Sequence, residues 1–252
     1  MTFIKKFHQI GKGDAHLAGG KGASLGEMAQ AGIPVPPGFI ILVGAFERFV
    51  EETELAAEID TVLHTVKTDE MSSVERASEK IQALIFGAKM PNDIAKEVEK
   101  QFNKLDTSFV AVRSSATAED SASAAWAGQL DTFLNTTEEN LLANVQKCWA
   151  SLFTPRAIFY RFEKELHKQK ISVAVVVQKM VESEVSGIAF SVHPVTEDRN
   201  QLIIEAGLGL GEAIVSGQIT PDSYVVEKNS PDGEPSRTTR RIIDKNISTQ
   251  ER

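Results

Sequence analysis

The sequence has little of three features that would assign it to a special class of protein. It has one cysteine, Cys148, among 252 residues, which excludes an intrachain disulfide and any metal site built from several cysteines. No apolar run approaches the roughly 20 residues of a membrane-spanning helix, and the first residues lack the apolar stretch of a signal peptide. Basic residues number 27 against 35 acidic ones, and the formal charge of −8 argues against a nucleic-acid-binding surface. We therefore expect a cytoplasmic protein that binds neither nucleic acid nor a membrane, with room for a local anion pocket.

What is present is the composition of an ordinary globular protein, with 42% apolar and 25% charged residues. Residues 44–103 carry apolar side chains at helical spacing and predict two to four amphipathic helices. From residue 171 onward, short apolar runs alternate with glycine and proline turns, a pattern typical of strands. We predict an α+β fold with a helix-rich lobe over residues 1–168 and a strand-rich lobe over residues 169–252.

A glycine-rich segment with one lysine, Gly19-Gly20-Lys21-Gly22, precedes a predicted helix over residues 23–30. Glycine lets backbone N–H groups approach a phosphate, a helix N-terminus adds positive potential, and Lys21 adds a point charge. The segment is not a Walker A loop, which needs glycine where Ala15 stands and serine or threonine where Gly22 stands. It indicates a phosphate site, with a glycine turn and a solvated lysine as the alternative.

Arg113 stands where a predicted strand over residues 108–112 ends and a segment of small residues, 114–128, begins. The donor fork of arginine suits a phosphate, and ligands bind at strand ends in α/β sheets. The segment is too poor in bulky apolar groups to be core, so we predict a loop that folds over a nucleotide as a mobile lid. The alternative is a surface arginine paired with Glu119 or Asp120.

A hydrophobic strand predicted over residues 172–178 ends in Gln178 and a short apolar connector that contains Met180. An adenine ring needs an apolar slot with one or two backbone hydrogen bonds at its edge, and such a connector can supply both. The alternative is an ordinary core strand.

A glycine-rich turn runs from Glu205 to Glu212. Neither register completes the dinucleotide pattern G-x-G-x-x-G, because Glu212 and Ile214 occupy the last position, so we exclude Rossmann-type binding. We predict Glu205 and Glu212 as acceptors for ribose hydroxyls or for amines near a nucleotide, with surface carboxylates as the alternative. The five histidines are scattered without ligand spacing, and no protein metal site is predicted.

Together these segments closely resemble one family, the N-terminal ATP-binding domain of phosphoenolpyruvate synthase, pyruvate phosphate dikinase and the rifampicin phosphotransferases. The matching stretches are residues 19–31 with 34–39, 112–135 (which includes V-R-S-S-A-T-A-E-D and W-A-G-Q-L-D-T-F-L-N), 151–161 and 175–226. They follow the order and spacing of the family over most of the chain. The resemblance implies an ATP-grasp-like fold that clasps ATP between two lobes.

The resemblance also implies roles for particular residues. Lys21 and Arg113 would contact the ATP phosphates and act as the catalytic residues, and Gly128 would belong to a glycine loop that covers the phosphates. The other implied nucleotide contacts are Gln178 at the adenine edge with the backbone of Met180, and Ser186 and Glu212 in the pocket wall.

The activity that the resemblance implies is an ATP- and Mg²⁺-dependent phosphotransfer, first to a histidine of a separate domain and then to pyruvate. The phosphohistidine domain and the pyruvate-binding domain would be partners of this chain. The alternatives are the ATP-binding domain of a rifampicin-type phosphotransferase and a nucleotide-binding module without turnover. The acidic metal motif and the Gln-x-Arg-Pro-like segment of the family do not follow Glu227, so we expect the C-terminal part of the fold to be missing and the chain alone to be catalytically incomplete.

Overall fold

The computed structural model describes residues 2–117, 120–121, 124–125, 131–164, 166, 172–228 and 241–247. The helices in these ranges are α1 (Ala15–Gln30), α2 (Val43–Glu52), α3 (Leu55–Leu63), α4 (Met71–Gly87), α5 (Asn92–Asn103), α6 (Glu138–Ala150), α7 (Pro155–Glu163) and α8 (Glu212–Val215). The strands are β1 (Ile4–Lys6), β2 (Gly38–Ile41), β3 (Val110–Ala116), β4 (Asp120–Ser121), β5 (Ala124–Ala125), β6 (Thr132–Thr136), β7 (Val173–Lys179), β8 (Val185–Phe190), β9 (Gln201–Leu208), β10 (Asp222–Glu227) and β11 (Arg241–Asn246). This mixture of helices and strands confirms the α+β class.

The chain divides into two compact units, Met1–Met180 and Val181–Arg252. The sequence predicted a division after residue 168, which would assign β7 to the strand-rich half. In the structure β7 pairs antiparallel with both β2 and β3, so it is an inner strand of the first unit. The hydrogen bonds to its two neighbours therefore hold β7 with the helix-rich part of the chain.

The first unit is built on a five-stranded sheet with the order β1-β2-β7-β3-β6, in which every neighbouring pair is antiparallel. One face packs against α1, where Ile40 and Val176 meet Leu25. The opposite face packs against α2 and α6, and α4 packs on α6 and α7 in the same hydrophobic core. Because both faces are covered, β7 is apolar at successive positions and buried from residue 173 to residue 177.

Four amphipathic helices, α2 to α5, occupy the region where the sequence predicted two to four. In α4, Val74, Ala77 and Ile81 enter the core with at most 2% of their surface exposed, as their helical spacing predicts. Trp149 of α6 anchors this core, with its ring centroid 5.0 Å from that of Phe49. None of the helices in the described ranges is long and apolar enough to cross a bilayer.

The second unit contains a four-stranded antiparallel sheet with the order β11-β10-β9-β8. Strands β8, β9 and β10 lie in the region where the sequence predicted strands, whereas the polar tail from residue 229 shows no strong strand pattern in the sequence. Residues 242–247 are exposed, including Ile242, Ile243 and Ile247, and β11 is defined by its pairing with β10. Such a strand carries no hydrophobic pattern of its own, which explains why the sequence did not indicate it.

Candidate functional site

Arg113 lies in the middle of a strand and not at its end. It pairs with Val176 of β7 and Thr132 of β6, and β3 continues to Ala116. The prediction of a loop from Ser114 onward is therefore wrong for its first residues, since Ser114 and Ser115 are 1% and 0% exposed. A ligand site is also not expected from the strand end, because ligands bind at strand ends in parallel sheets and this sheet is antiparallel.

The short side chains of β3 are explained by backbones that approach it closely on both sides. The backbone N–H and the hydroxyl of Ser114 both donate to the carbonyl oxygen of Asp131, at 3.1 and 2.8 Å. On the other side, a Cβ atom added to Gly19 would overlap the carbonyl group of Ser115. Bulky residues cannot occupy such positions, so a segment poor in apolar groups forms a buried strand here.

The predicted glycine loop is a kink inside α1. Gly19 has φ 68° and ψ 173°, with helical residues on either side of it. The φ value lies in the left-handed region that glycine adopts without strain. Helical residues thus precede the kink as well as follow it, which differs from the expected loop that only opens a helix at residue 23. Lys21, which is half-buried, lies in the first turn after the kink.

Ser115 joins this kink to the strand of Arg113. Its hydroxyl donates to the carbonyl oxygen of Ala18 at 2.9 Å and accepts from the backbone N–H of Gly22 at 3.1 Å. Lys21 lies between these two anchor points in the chain, and Arg113 is two residues from Ser115 on β3. The structure therefore brings the Lys21 segment and the Arg113 strand together through one buried side chain.

Arg113 and Gln178 lie on the same face of the five-stranded sheet. Gln178 pairs with Ala111, and Val176, two residues earlier on β7, pairs with Arg113. Such diagonal neighbours have α carbons roughly 7–8 Å apart. This is the face that α1 covers. The helix that carries Lys21 and the side chains of Arg113 and Gln178 therefore lie on the same side of the sheet.

The two residues predicted at an adenine edge already make hydrogen bonds within the protein. The side-chain amide of Gln178, 9% exposed, donates to the carbonyl oxygen of Pro36 at 3.2 Å. The backbone N–H of Met180 donates to the carbonyl oxygen of Phe109 at 3.1 Å. In this conformation the Met180 N–H is engaged and cannot donate to a ring nitrogen of adenine.

Three further predicted nucleotide contacts, Ser186, Glu205 and Glu212, belong to the second unit. Ser186 pairs with Gly207 and Ile188 pairs with Glu205, so Ser186 and Glu205 share a face. The turn that leads to Glu212 passes close to this face, since a Cβ atom added to Gly211 would lie 3.7 Å from Oγ of Ser186. That hydroxyl is buried and has no hydrogen-bond partner among the described residues. A buried hydroxyl without a partner is a position where a ligand can complete the hydrogen bonding.

Part of the predicted site lies outside the described residues. Gly128 and Trp126 are among these, as are residues 118–119, 122–123 and 127 of the predicted lid. The lid cannot begin at Ser114 as predicted, because Ser114, Ser115 and Ala116 are buried strand residues.

Two titratable groups beside β3 show the electrostatic character of the region. Burial raises the pKa of the Asp131 carboxyl. Burial also raises the pKa of the Cys148 thiol, an effect that the negative charge of Asp131 increases and the positive charge of Lys21 opposes. The charges of Lys21 and Asp131 therefore act on the same region, next to the strand that carries Arg113.

Sequence reasoning missed Ser114, Ser115 and Asp131 as contributors to this site. The only signal in the sequence was a pair of small polar residues directly after a predicted strand. That pattern is equally typical of a loop.

No three histidine, cysteine, aspartate or glutamate side chains within the described ranges lie close enough together to share a metal ion.

Comparison with known proteins adds independent information. A family model described as the pyruvate phosphate dikinase AMP/ATP-binding domain matches residues 15–252. A probable phosphoenolpyruvate synthase of Methanocaldococcus jannaschii is 44% identical over 258 residues, which cover 100% of this chain and 21% of that protein. The phosphoenolpyruvate synthase of Pyrococcus furiosus is 40% identical over 267 residues, with 90% of this chain and 33% of that protein covered. A probable phosphoenolpyruvate synthase of Archaeoglobus fulgidus is 46% identical over 225 residues, with 87% and 30% covered. The chain thus spans between a fifth and a third of the length of these relatives.

Proposed function

This chain belongs to the pyruvate phosphate dikinase AMP/ATP-binding domain family, and on that premise we propose that Lys21 and Arg113 bind the phosphates of ATP. One observation carries the proposal. The buried hydroxyl of Ser115 bonds both Ala18 and Gly22, and so fastens the Lys21 segment to the strand of Arg113. Two cationic residues that are far apart in the sequence are thereby held by one strand.

The chemistry of these groups suits a triphosphate. The guanidinium of Arg113 presents a planar fork of donors, and the ammonium of Lys21 is a compact charge. Lys21 also lies in the first turn after the kink at Gly19, where backbone N–H groups point toward the helix start and favour an anion. Together they would neutralise phosphate charge in a partly buried setting, where each contact is stronger than in water.

The remaining nucleotide contacts are proposed from the family resemblance and from the polar groups of the residues concerned. The fold that would present them is proposed to be ATP-grasp-like. Gln178 and the Met180 carbonyl would meet the adenine edge. Glu205 and Glu212 would accept hydrogen bonds from ribose hydroxyls or from amines, and Ser186 would gain the partner that its buried hydroxyl lacks among the described residues. Gly128 would contribute to the loop that covers the phosphates.

For the whole protein we propose an ATP-dependent phosphotransferase of the phosphoenolpyruvate synthase type. The ATP phosphoryl group would pass to a histidine of a separate domain and then to pyruvate, with Mg²⁺ arriving bound to ATP. The much greater length of the relatives supports partner domains for the histidine and for pyruvate. Their names favour pyruvate over an antibiotic as the final acceptor. In such reactions the protein contributes mainly positioning and electrostatic stabilisation, which is the role proposed for Lys21 and Arg113.

Two measurements test this function. Calorimetric titration of the chain with ATP and with adenosine tests the phosphate site, and we expect ATP to bind much more tightly. A phosphohistidine assay with radiolabelled ATP, with and without a supplied histidine domain, tests the transfer. Label that appears on the histidine domain only in the presence of this chain supports the proposal. ATP binding without any transfer would favour the nucleotide-binding module without turnover.

A further inference from the structure

The Ser115 hydroxyl occupies the place of a helical hydrogen bond in α1. In a continuous α-helix the N–H of residue 22 donates to the carbonyl oxygen of residue 18. Here the hydroxyl of Ser115 bonds both of these groups, at 3.1 Å to the Gly22 nitrogen and 2.9 Å to the Ala18 oxygen. A side chain inserted into the helical ladder in this way is a recognised cause of a kink. The kink is at Gly19, directly after Ala18.

The surroundings make this insertion specific to Ser115. Its side chain is 0% exposed, so a water molecule from the surface cannot simply take the place of the hydroxyl. Both hydrogen-bonding functions of the hydroxyl are engaged, one as donor and one as acceptor. The three glycines of the segment have low helix propensity, which lowers the cost of breaking the helix there.

We propose that Ser115 is a positioning residue that holds α1 open at Gly19 and thereby sets the place of Lys21 relative to Arg113. This inference rests on the proposed ATP site. Without the hydroxyl, the Gly22 N–H and the Ala18 carbonyl lose their partner and can hydrogen-bond to each other. That bond favours a continuous helix in this segment. Lys21, which lies between them, then leaves the position from which it meets a phosphate. Ser115 itself touches no substrate.

The test is calorimetric titration of the full chain with ATP and with adenosine. We expect Ser115→Ala to weaken ATP binding about tenfold, the factor that corresponds to one or two lost buried hydrogen bonds. Adenosine binding should change less than about twofold, because adenosine has no phosphate for Lys21 to meet. Ser115→Cys should behave like Ser115→Ala, since a thiol has a similar shape but is a weak hydrogen-bond partner.

Ser73→Ala is the matched control. The Ser73 hydroxyl, in a residue 6% exposed on α4, also accepts from one backbone N–H and donates to one carbonyl, both of Lys67 at 2.8 Å. This variant loses the same two kinds of hydrogen bond at a place away from the sheet. It should keep its ATP affinity while its free energy of unfolding falls about as much as that of Ser115→Ala. Urea unfolding of the variants identifies any that fail to fold, and Ser115→Cys replaces Ser115→Ala in that event.

A double-mutant cycle with Lys21→Ala distinguishes a positioning role of Ser115 from a general loss of structure at the ATP site. If Ser115 acts through Lys21, then Ser115→Ala should change ATP affinity less than about twofold once Lys21 is already alanine. Equal losses for ATP and adenosine, or a Ser115→Ala effect that persists in full in the Lys21→Ala background, would overturn the positioning role. So would Ser115 variants that bind ATP as tightly as Ser73→Ala does. If Lys21→Ala itself leaves ATP binding unchanged, it is the proposed function that fails.

Discussion

Gly19 lies with its backbone directly against the carbonyl group of Ser115, so that no side chain fits between them. This contact, together with the two hydrogen bonds of the Ser115 hydroxyl, fixes the kink of α1 on strand β3. The same strand carries Arg113, and its other serine, Ser114, holds the start of β6 through Asp131. One strand of small residues therefore organises the segments on both sides of it.

Gly19→Ala should destabilise the chain by about 2–5 kcal/mol, because a Cβ atom there overlaps Ser115 and because alanine is strained at positive φ. Urea unfolding gives this free energy directly. Gly13→Ala is the control, since a Cβ atom at Gly13 meets nothing within 4 Å. Equal unfolding free energies for the two variants would show that Gly19 and Ser115 are not in contact.

Cys148 should resist thiol reagents in the native protein. It is completely buried, and burial raises the pKa of its thiol, so little of the reactive thiolate is present at pH 8. Because Cys148 is the single cysteine, one equivalent of thiol per chain should react with Ellman's reagent in guanidinium. In the native state, less than about a tenth of that amount should react within minutes. Fast native labelling would contradict the packing of α6.

Asp131→Asn should stabilise the chain at neutral pH. Burial raises the pKa of Asp131 above its ordinary value of 3.8, so the folded chain binds this proton more tightly than the unfolded chain does. The carboxylate therefore opposes folding at pH 7, and that effect disappears as the pH falls through the raised pKa to below 3.8. The gain should be below about 1 kcal/mol at pH 7, because Asp131 is an exposed residue and solvent screens its charge.

Urea midpoints of Asp131→Asn and the unmodified chain at pH 7 and pH 3.5 check this expectation. The difference should be positive at pH 7 and close to zero at pH 3.5. A variant that is less stable than the unmodified chain at pH 7 would show that a cation, and not burial, dominates the environment of Asp131.

The helices and inner strands could be predicted from the sequence because their signals are local. The spacing of Val74, Ala77 and Ile81 predicts the buried face of α4, and the apolar run of β7 predicts a hydrophobic strand. Lys21 and Arg113 could be identified because a lysine among glycines and an arginine next to a predicted strand are both cations in settings that suit a phosphate.

The extension of β3 through Ser114 and Ser115 could not be predicted in this way. The partner of the Ser115 hydroxyl is Ala18, 97 residues earlier in the chain, so the reason for a small buried residue is not in the neighbouring sequence. The engaged N–H of Met180 is a further case, because its acceptor, Phe109, lies on a different segment of the chain. Such long-range contacts decide which small polar residues are core and which are loop.

The measurement that tests the central claim most directly is calorimetric titration of Arg113→Ala with ATP and with adenosine. Arg76→Ala is the control, an arginine at the surface of α4 whose guanidinium lies 3.2 Å from Glu70. We predict that Arg113→Ala loses about 2–4 kcal/mol of ATP binding, which is about 30-fold or more in affinity, because a phosphate loses its charged partner. Adenosine binding should be nearly unchanged, and Arg76→Ala should bind both ligands like the unmodified chain. Equal losses of ATP and adenosine affinity in Arg113→Ala, or no loss of either, would contradict the role of Arg113 as a phosphate-binding residue.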